Sequence, residues 1–273
     1  MNRDTLFSGL SALVLLLCGA LGLYGYADGD GPTAPNFSDI RAGDENVLRV
    51  GVTPTGPPVV FLQGGKVSGI EADLAEQLAK SINRQVRYVQ LEFNELIPAL
   101  LDDKIDIIMS GMSFTEMRAI RVSFSQPYMK VGQMPLVRRS DLNKYTNTLG
   151  LLNTKGKVAV ERGTTGDFFV QENFIYADRV PYLDINNAVS DLANGKVDVF
   201  IYDSPVIWWL ASERESDGLA PLVVTLSEEY LAWAVRKDDT ELLQLANAFL
   251  EKFRSSGDLN KVIKKWLPYA TEF

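Results

Sequence analysis

Arg118 stands just past a short apolar run and a turn. The stretch KIDIIMSGMSFTEMRAI (104–120) reads as a buried strand through Ile105, Ile107, Ile108 and Met109, turns at Gly111, and passes the hydroxyls of Ser113 and Thr115 before the arginine. A guanidinium fork matches a carboxylate with two parallel hydrogen bonds. A second stretch, GKVAVERGTTGDF (156–168), runs from an apolar strand into a Gly-Thr-Thr-Gly turn that opens a helix. The free N–H groups of such a helix start, with the hydroxyls of Thr164 and Thr165, favour an anion. A third, VDVFIYD (197–203), ends on a single carboxylate, Asp203. An anion seat facing a cation seat describes a zwitterion, and the α-carboxylate and α-ammonium of a free amino acid fit.

Composition narrows the chemistry. The 273 residues contain no histidine, which removes Ser-His-Asp and Cys-His catalysis and the commonest metal ligand. The one cysteine, Cys18, can form neither an internal disulfide nor a thiolate metal site. No metal and no cofactor is expected. With 27 basic and 35 acidic side chains the net charge is −8, so a global nucleic-acid footprint is not expected.

The elements that must position these residues alternate. Strands are predicted over 48–52, 86–91, 105–111, 156–163 and 197–203, with helices over 69–82, 93–103 and about 185–193. Asn94 is a plausible N-cap for the helix over 93–103. Single helices between strands imply βαβ units and a largely parallel sheet. The pattern then restarts: Lys104 and Asp106 of LLDDKIDIIMSG recur as Lys196 and Asp198 of LANGKVDVFIYD at the same offset. Two lobes of one local plan would produce this; so would two ordinary βαβ units of similar composition. In open α/β sheets ligands sit beyond the carboxyl ends of strands, which selects Thr53 to Pro58, Gly111 to Arg118, Glu161 to Gly166, and Tyr202 to Ser204.

The N-terminus reads as an export signal. Arg3 precedes an apolar run from Leu10 to Leu23, and small residues lead to Ala27. Three readings stay open: cleavage after Ala27, retention of residues 6–24 as a membrane anchor, and lipid attachment at Cys18. Each places the body of the protein outside the cytoplasm, periplasmic or otherwise extracytoplasmic. Residues 28–46, rich in Gly, Pro, Asp and Asn, read as a flexible linker.

The stretches GIEADLAEQLAKSI, FNELIPALLDDKIDIIMSGMSFTEMRAIRVSFSQPY, KVAVERGTTGDF and GKVDVFIYDSP resemble solute-binding protein family 3, the polar amino-acid-binding proteins of ABC importers. The resemblance runs from about residue 47 to the end, and T-x-x-R followed by F-S-x-P-Y is its most specific part. It implies an α/β clamshell of two lobes, the periplasmic-binding-protein type II fold, with two hinge crossovers. The expected lobes are 47–134 with 231–273, and 135–230. It implies that Arg118 binds the ligand carboxylate with Gly111, Ser113 and Thr165 assisting, and that Asp203 binds the ammonium. It implies a small-molecule ligand and a membrane permease as partner, in a binding protein rather than an enzyme, and a monomer is expected. The alternatives are a cyclohexadienyl-dehydratase-like enzyme using Glu161 or Asp203 as general acid, and a periplasmic sensor acting in trans.

The first loop, VTPTGPPVVF, departs from relatives for basic amino acids, which resemble D-P-T-Y-x-P-F there. Thr53 stands at the place of the acid, Gly56 at the aromatic and Val59 at the phenylalanine. Phe61 could replace the missing ring or serve the core. Glu161 could pair with a cationic ligand side chain or with Arg162.

Overall fold

The computed structural model describes residues 46–268. The leader, Cys18 and nearly all of the expected linker lie outside these residues. Among the described residues no helix is long and apolar enough to cross a membrane.

Two five-stranded sheets share one plan. In the first the order is Gln85–Gln90, Val47–Val52, Ile107–Ile108, Ala234–Val235, Ser123–Phe124. In the second it is Asp178–Tyr182, Lys157–Glu161, Val199–Asp203, Gln133–Arg138, Leu219–Pro221. The first three strands of each sheet pair in parallel, as single-helix crossovers require. The fourth strand of each runs against its two neighbours. The chain passes between sheets along Met129–Val131 and returns along Glu229–Leu231, and these two segments pair antiparallel.

The recurring Lys-x-Asp is structural. Asp106 accepts the backbone N–H of Arg49 at 2.7 Å, and Asp198 accepts that of Lys157 at 2.8 Å. Each aspartate, just ahead of the third strand of its sheet, thus ties that strand to the second. Arg49 also forks onto Asp106 and Asp103, and Arg138 onto Asp141 and Asp198.

The helices form where apolar residues recur on one face. Helix Ile70–Ser81 buries Ile70, Leu74, Leu78 and the alanines between them against the first sheet, with Glu71 and Asp73 in its first turn. Helices Thr240–Ser255 and Asp258–Trp266 return to pack on it. The predicted helix over 93–103 is shorter: Phe93–Glu95 is a 3₁₀ turn, and the α-helix runs Leu96–Leu101. Pro98 has no N–H to give, so it can sit only in the first α-helical turn. Asn94 therefore falls inside the 3₁₀ turn and caps nothing.

Candidate functional site

Arg118 is positioned by its own backbone. Thr115 caps the short helix Glu116–Ala119 by accepting the N–H of Arg118 at 3.1 Å. The guanidinium then folds back, donating to the carbonyl of Ser113 at 2.8 Å and, across the cleft, to that of Gly163 at 3.1 Å. It lies over the ring of Phe93 at 5.3 Å. Among the described residues no carboxylate lies within salt-bridge distance of it; the ion pairs use other side chains. Burial lowers its pKa, and the charges of Asp203 and Glu229 oppose that shift.

Gly111 adopts φ +64° and lines the cleft, but its N–H is already given to Glu71 at 2.9 Å. Glu71 is buried and also accepts from the Tyr128 hydroxyl at 2.7 Å and the Trp233 indole at 2.9 Å. Burial pushes its carboxyl up to about 7, the three donors acting against the shift. Gly111 therefore shapes the wall and offers the ligand no spare N–H.

On the second sheet, Thr164 is occupied by its own helix. Its hydroxyl donates to the carbonyl of Glu161 at 2.8 Å and accepts the N–H of Asp167 at 3.2 Å, capping Thr165–Asn173. Thr165 follows with its hydroxyl turned to Glu229 at 2.6 Å. Asp203 ends strand Val199–Asp203 at the N-cap of helix Ser204–Glu213, yet its side chain caps nothing. It accepts from Gln133 Nε2 at 2.7 Å instead. Burial and then the charge of Glu229 push its carboxyl up to about 8, against the hydrogen bond from Gln133 and the charge of Arg118. Phe93, Gly111, Ser113, Arg118, Thr164, Thr165, Tyr202 and Asp203 line one cavity together. The residues expected to hold a zwitterion thus converge from both sheets.

A second, contiguous cavity holds Thr53, Gly56, Val59, Phe93, Tyr202 and Val206 on its walls. Thr53 gives its N–H to Ser110 at 2.7 Å, while its buried Oγ1 has no partner. Opposite Gly56 stands Tyr202: a Cβ at position 56 would lie 3.8 Å from its hydroxyl and 3.5 Å from Val206. The ring absent from the first loop is matched by one from the other lobe. Glu161 supports that ring, accepting the Tyr202 hydroxyl at 2.6 Å. It is buried, is not part of either cavity wall, and its carboxyl is pushed up to about 7, chiefly by burial. Phe61 takes neither expected role: it is partly exposed and packs against Trp209 and Trp266.

Sequence reasoning missed Phe93, Gln133 and Glu229, and it selected Tyr202 as a strand-end candidate without giving it a role. Phe93 sits beside a strand end and was reachable by the same rule. Gln133 and Glu229 lie at the crossings between sheets and carried no local signal.

Comparison with known proteins gives the family. The family described as bacterial extracellular solute-binding proteins, family 3, matches residues 48–269. The probable histidine-binding protein of Neisseria gonorrhoeae is 31% identical over 267 residues, covering 94% of this chain and 91% of that one. The ABC transporter arginine-binding protein 1 of Escherichia coli K12 is 28% identical over 226 residues, covering 81% and 90%. A crystal structure of a mutant of ArgBP from T. maritima superposes with a TM-score of 0.77 at 33% identity, covering 82% of this chain and 96% of that one. With its two-sheet fold, its crossing ribbon and a match over nearly all the described residues, the chain belongs to the bacterial extracellular solute-binding proteins, family 3.

Proposed function

We propose that the protein captures a free amino acid outside the cytoplasm and presents it, in a closed two-lobed form, to an ABC permease. One lobe is the chain before Met129–Val131 with the chain after Glu229–Leu231, and the other is the chain between these two segments. Arg118 takes the ligand carboxylate, and Asp203 the α-ammonium. Binding favours closure because the two charges come from different lobes and are both satisfied only when these meet. The observation that carries the reading is the enclosed Arg118 guanidinium, held by two carbonyls and by no carboxylate, in one cavity with Asp203. An enclosed cation of this kind calls for an anionic partner. The relatives named for arginine and histidine binding support an amino acid as the source of both charges.

The test is a thermal-shift screen of the purified protein against the twenty amino acids, with Arg118→Ala in parallel. A ligand in excess raises Tm by mass action. Removing Arg118 strands a desolvated carboxylate, so affinity is expected to fall by about 2–5 kcal/mol. An Arg118→Ala protein that binds the same ligand with unchanged calorimetric affinity would overturn the assignment.

A further inference from the structure

One oxygen of Glu229 is held from both sides of the cleft. Its Oε2 accepts the hydroxyl of Ser113, beyond the end of strand Ile107–Ile108 in the first sheet, at 2.6 Å. The same atom accepts the hydroxyl of Thr165, which opens the helix after strand Lys157–Glu161 in the second sheet, also at 2.6 Å. Its Oε1 accepts from Gln133 Nε2 at 3.0 Å and from the Ser227 hydroxyl at 2.7 Å. A carboxylate offers about four acceptor positions, so none is left for a ligand.

The other contacts fasten Glu229 to the crossing between the sheets. Ser227 also accepts the backbone N–H of Gln133 at 3.0 Å. A Cβ on Gly132 would lie 2.1 Å from the Ser227 carbonyl, so the departing and returning chains are pressed together at this point. Gln133 extends the attachment, its Nε2 donating to Asp203 at 2.7 Å as well. Glu229 thus sits at the pivot of the two sheets with one hydroxyl from each on a single atom. A hydroxyl bond to oxygen spans about 2.5–3.0 Å and is gone by about 3.6 Å. A separation of about 1 Å between the two cleft edges therefore breaks one of the pair. Neither bond calls on a ligand. The bond from Arg118 to the Gly163 carbonyl spans the cleft in the same way.

We propose that Glu229 is a closure latch: by holding Ser113 and Thr165 on one oxygen it stabilises the closed cleft before a ligand arrives, and so raises affinity for every ligand by the same factor. The fraction of free protein in the binding-competent form multiplies the apparent affinity, whichever ligand then binds. The inference rests on the closure invoked above and not on the identity of the ligand. Glu229 is a positioning residue here, acting on the two lobes through Ser113 and Thr165.

The test is single-molecule energy transfer between dyes on the two lobes of the ligand-free protein, with calorimetry of arginine, histidine and glutamine. Wild type, Glu229→Ala, Thr165→Val and the double variant are compared. Thr165→Val keeps the shape of the side chain, removes its hydroxyl and leaves Glu229 its other three donors. In Glu229→Ala the ligand-free ratio of closed to open molecules should fall about tenfold, which corresponds to about 1.4 kcal/mol. The dissociation constant of each amino acid that binds should rise by the same factor, with the ratios between amino acids kept within about twofold. Thr165→Val should do likewise, and the double variant should lose little more than either alone, because both changes remove one contact. A closed-to-open ratio in Glu229→Ala within about twofold of the wild type, losses of affinity that differ among the amino acids, or additive losses in the double variant would each overturn the proposal. A wild type that binds no amino acid would remove the functional reading above, and the ligand-free ratio would still decide the latch. Should Glu229→Ala not fold, Thr165→Val reads the same ligand-free ratio, and an unchanged ratio there also overturns the proposal.

Discussion

Ligand capture should tighten as pH rises towards the pKa of Asp203. Without ligand in the closed cleft, burial and the neighbouring charge of Glu229 push that carboxyl up to about 8. An ammonium seated against it favours the ionised form and brings the pKa down below neutrality. The ligand-free protein therefore holds a proton at pH 7 that the complex has released. The sign follows from linkage: where the free state binds more protons than the complex, affinity increases with pH. Between the two pKa values the slope approaches one proton, so affinity should rise by up to about tenfold from pH 6 to pH 7, or up to about 1.4 kcal/mol. Calorimetry at the two pH values checks the slope, and repeating it in buffers of different ionisation enthalpy counts the proton. Asp203→Asn should bind weakly and with no slope. A dissociation constant that is flat from pH 6 to 7, with the same heat in every buffer, would refute the reasoning. It would mean that Asp203 is ionised and hydrated before the ligand arrives. Affinity that falls as pH rises would assign Asp203 to something other than a cation.

Two further outcomes are expected. Burial raises the Glu71 carboxyl to about 7, so its contribution to stability is fully present below its ordinary value and is lost as pH rises through about 7. Glu71→Gln, which cannot pay that ionisation cost and faces the Trp233 indole N–H with a second donor, should therefore destabilise the protein by about 2 kcal/mol at pH 5 and by less at pH 8; urea unfolding gives both values, and an effect that grows with pH would count against it. Gly56→Leu should weaken ligand binding about tenfold or more and leave the Tm of the ligand-free lobes within a few degrees, because only the closed form sets position 56 against Tyr202 and Val206; Gly56→Ala, whose Cβ meets ordinary contact distances there, should bind nearly as the native protein does, and equal affinity in the Leu variant would remove Tyr202 as the facing wall.

Much of the architecture was legible because it follows from patterns that repeat along the chain. Ile70, Leu74 and Leu78 mark a helix that forms over Ile70–Ser81. The apolar runs ending near Val52, Ile108, Glu161 and Asp203 all end in strands whose carboxyl ends surround the cavities. The helix over 93–103 was misjudged because apolar spacing does not distinguish a 3₁₀ start from an α start, and Pro98 decides between them. Glu161 was a candidate for the ligand because it ends a strand. Side chains alternate across a strand, though, and Glu161 reaches the hydroxyl of Tyr202 rather than the cavity. Phe61 lies two residues beyond the loop it was meant to complete, and its ring goes to Trp209 and Trp266.

The part of the site that sequence could not supply is its hydrogen-bond direction. Ser113 and Thr165 are correctly identified as hydroxyls near Arg118, and a hydroxyl can serve an anion or a cation equally well. Which of these it does depends on a third group that is distant in the chain. Glu229 lies more than sixty positions from Thr165 and more than a hundred from Ser113, and the antiparallel pairing of Met129–Val131 with Glu229–Leu231, together with the direct bridge between Ser113 and Leu231, brings it between them. Gln133, adjoining the same ribbon, then links Glu229 to Asp203 through one amide. The ribbon that lets the chain cross between lobes thus also decides which protons face the ligand.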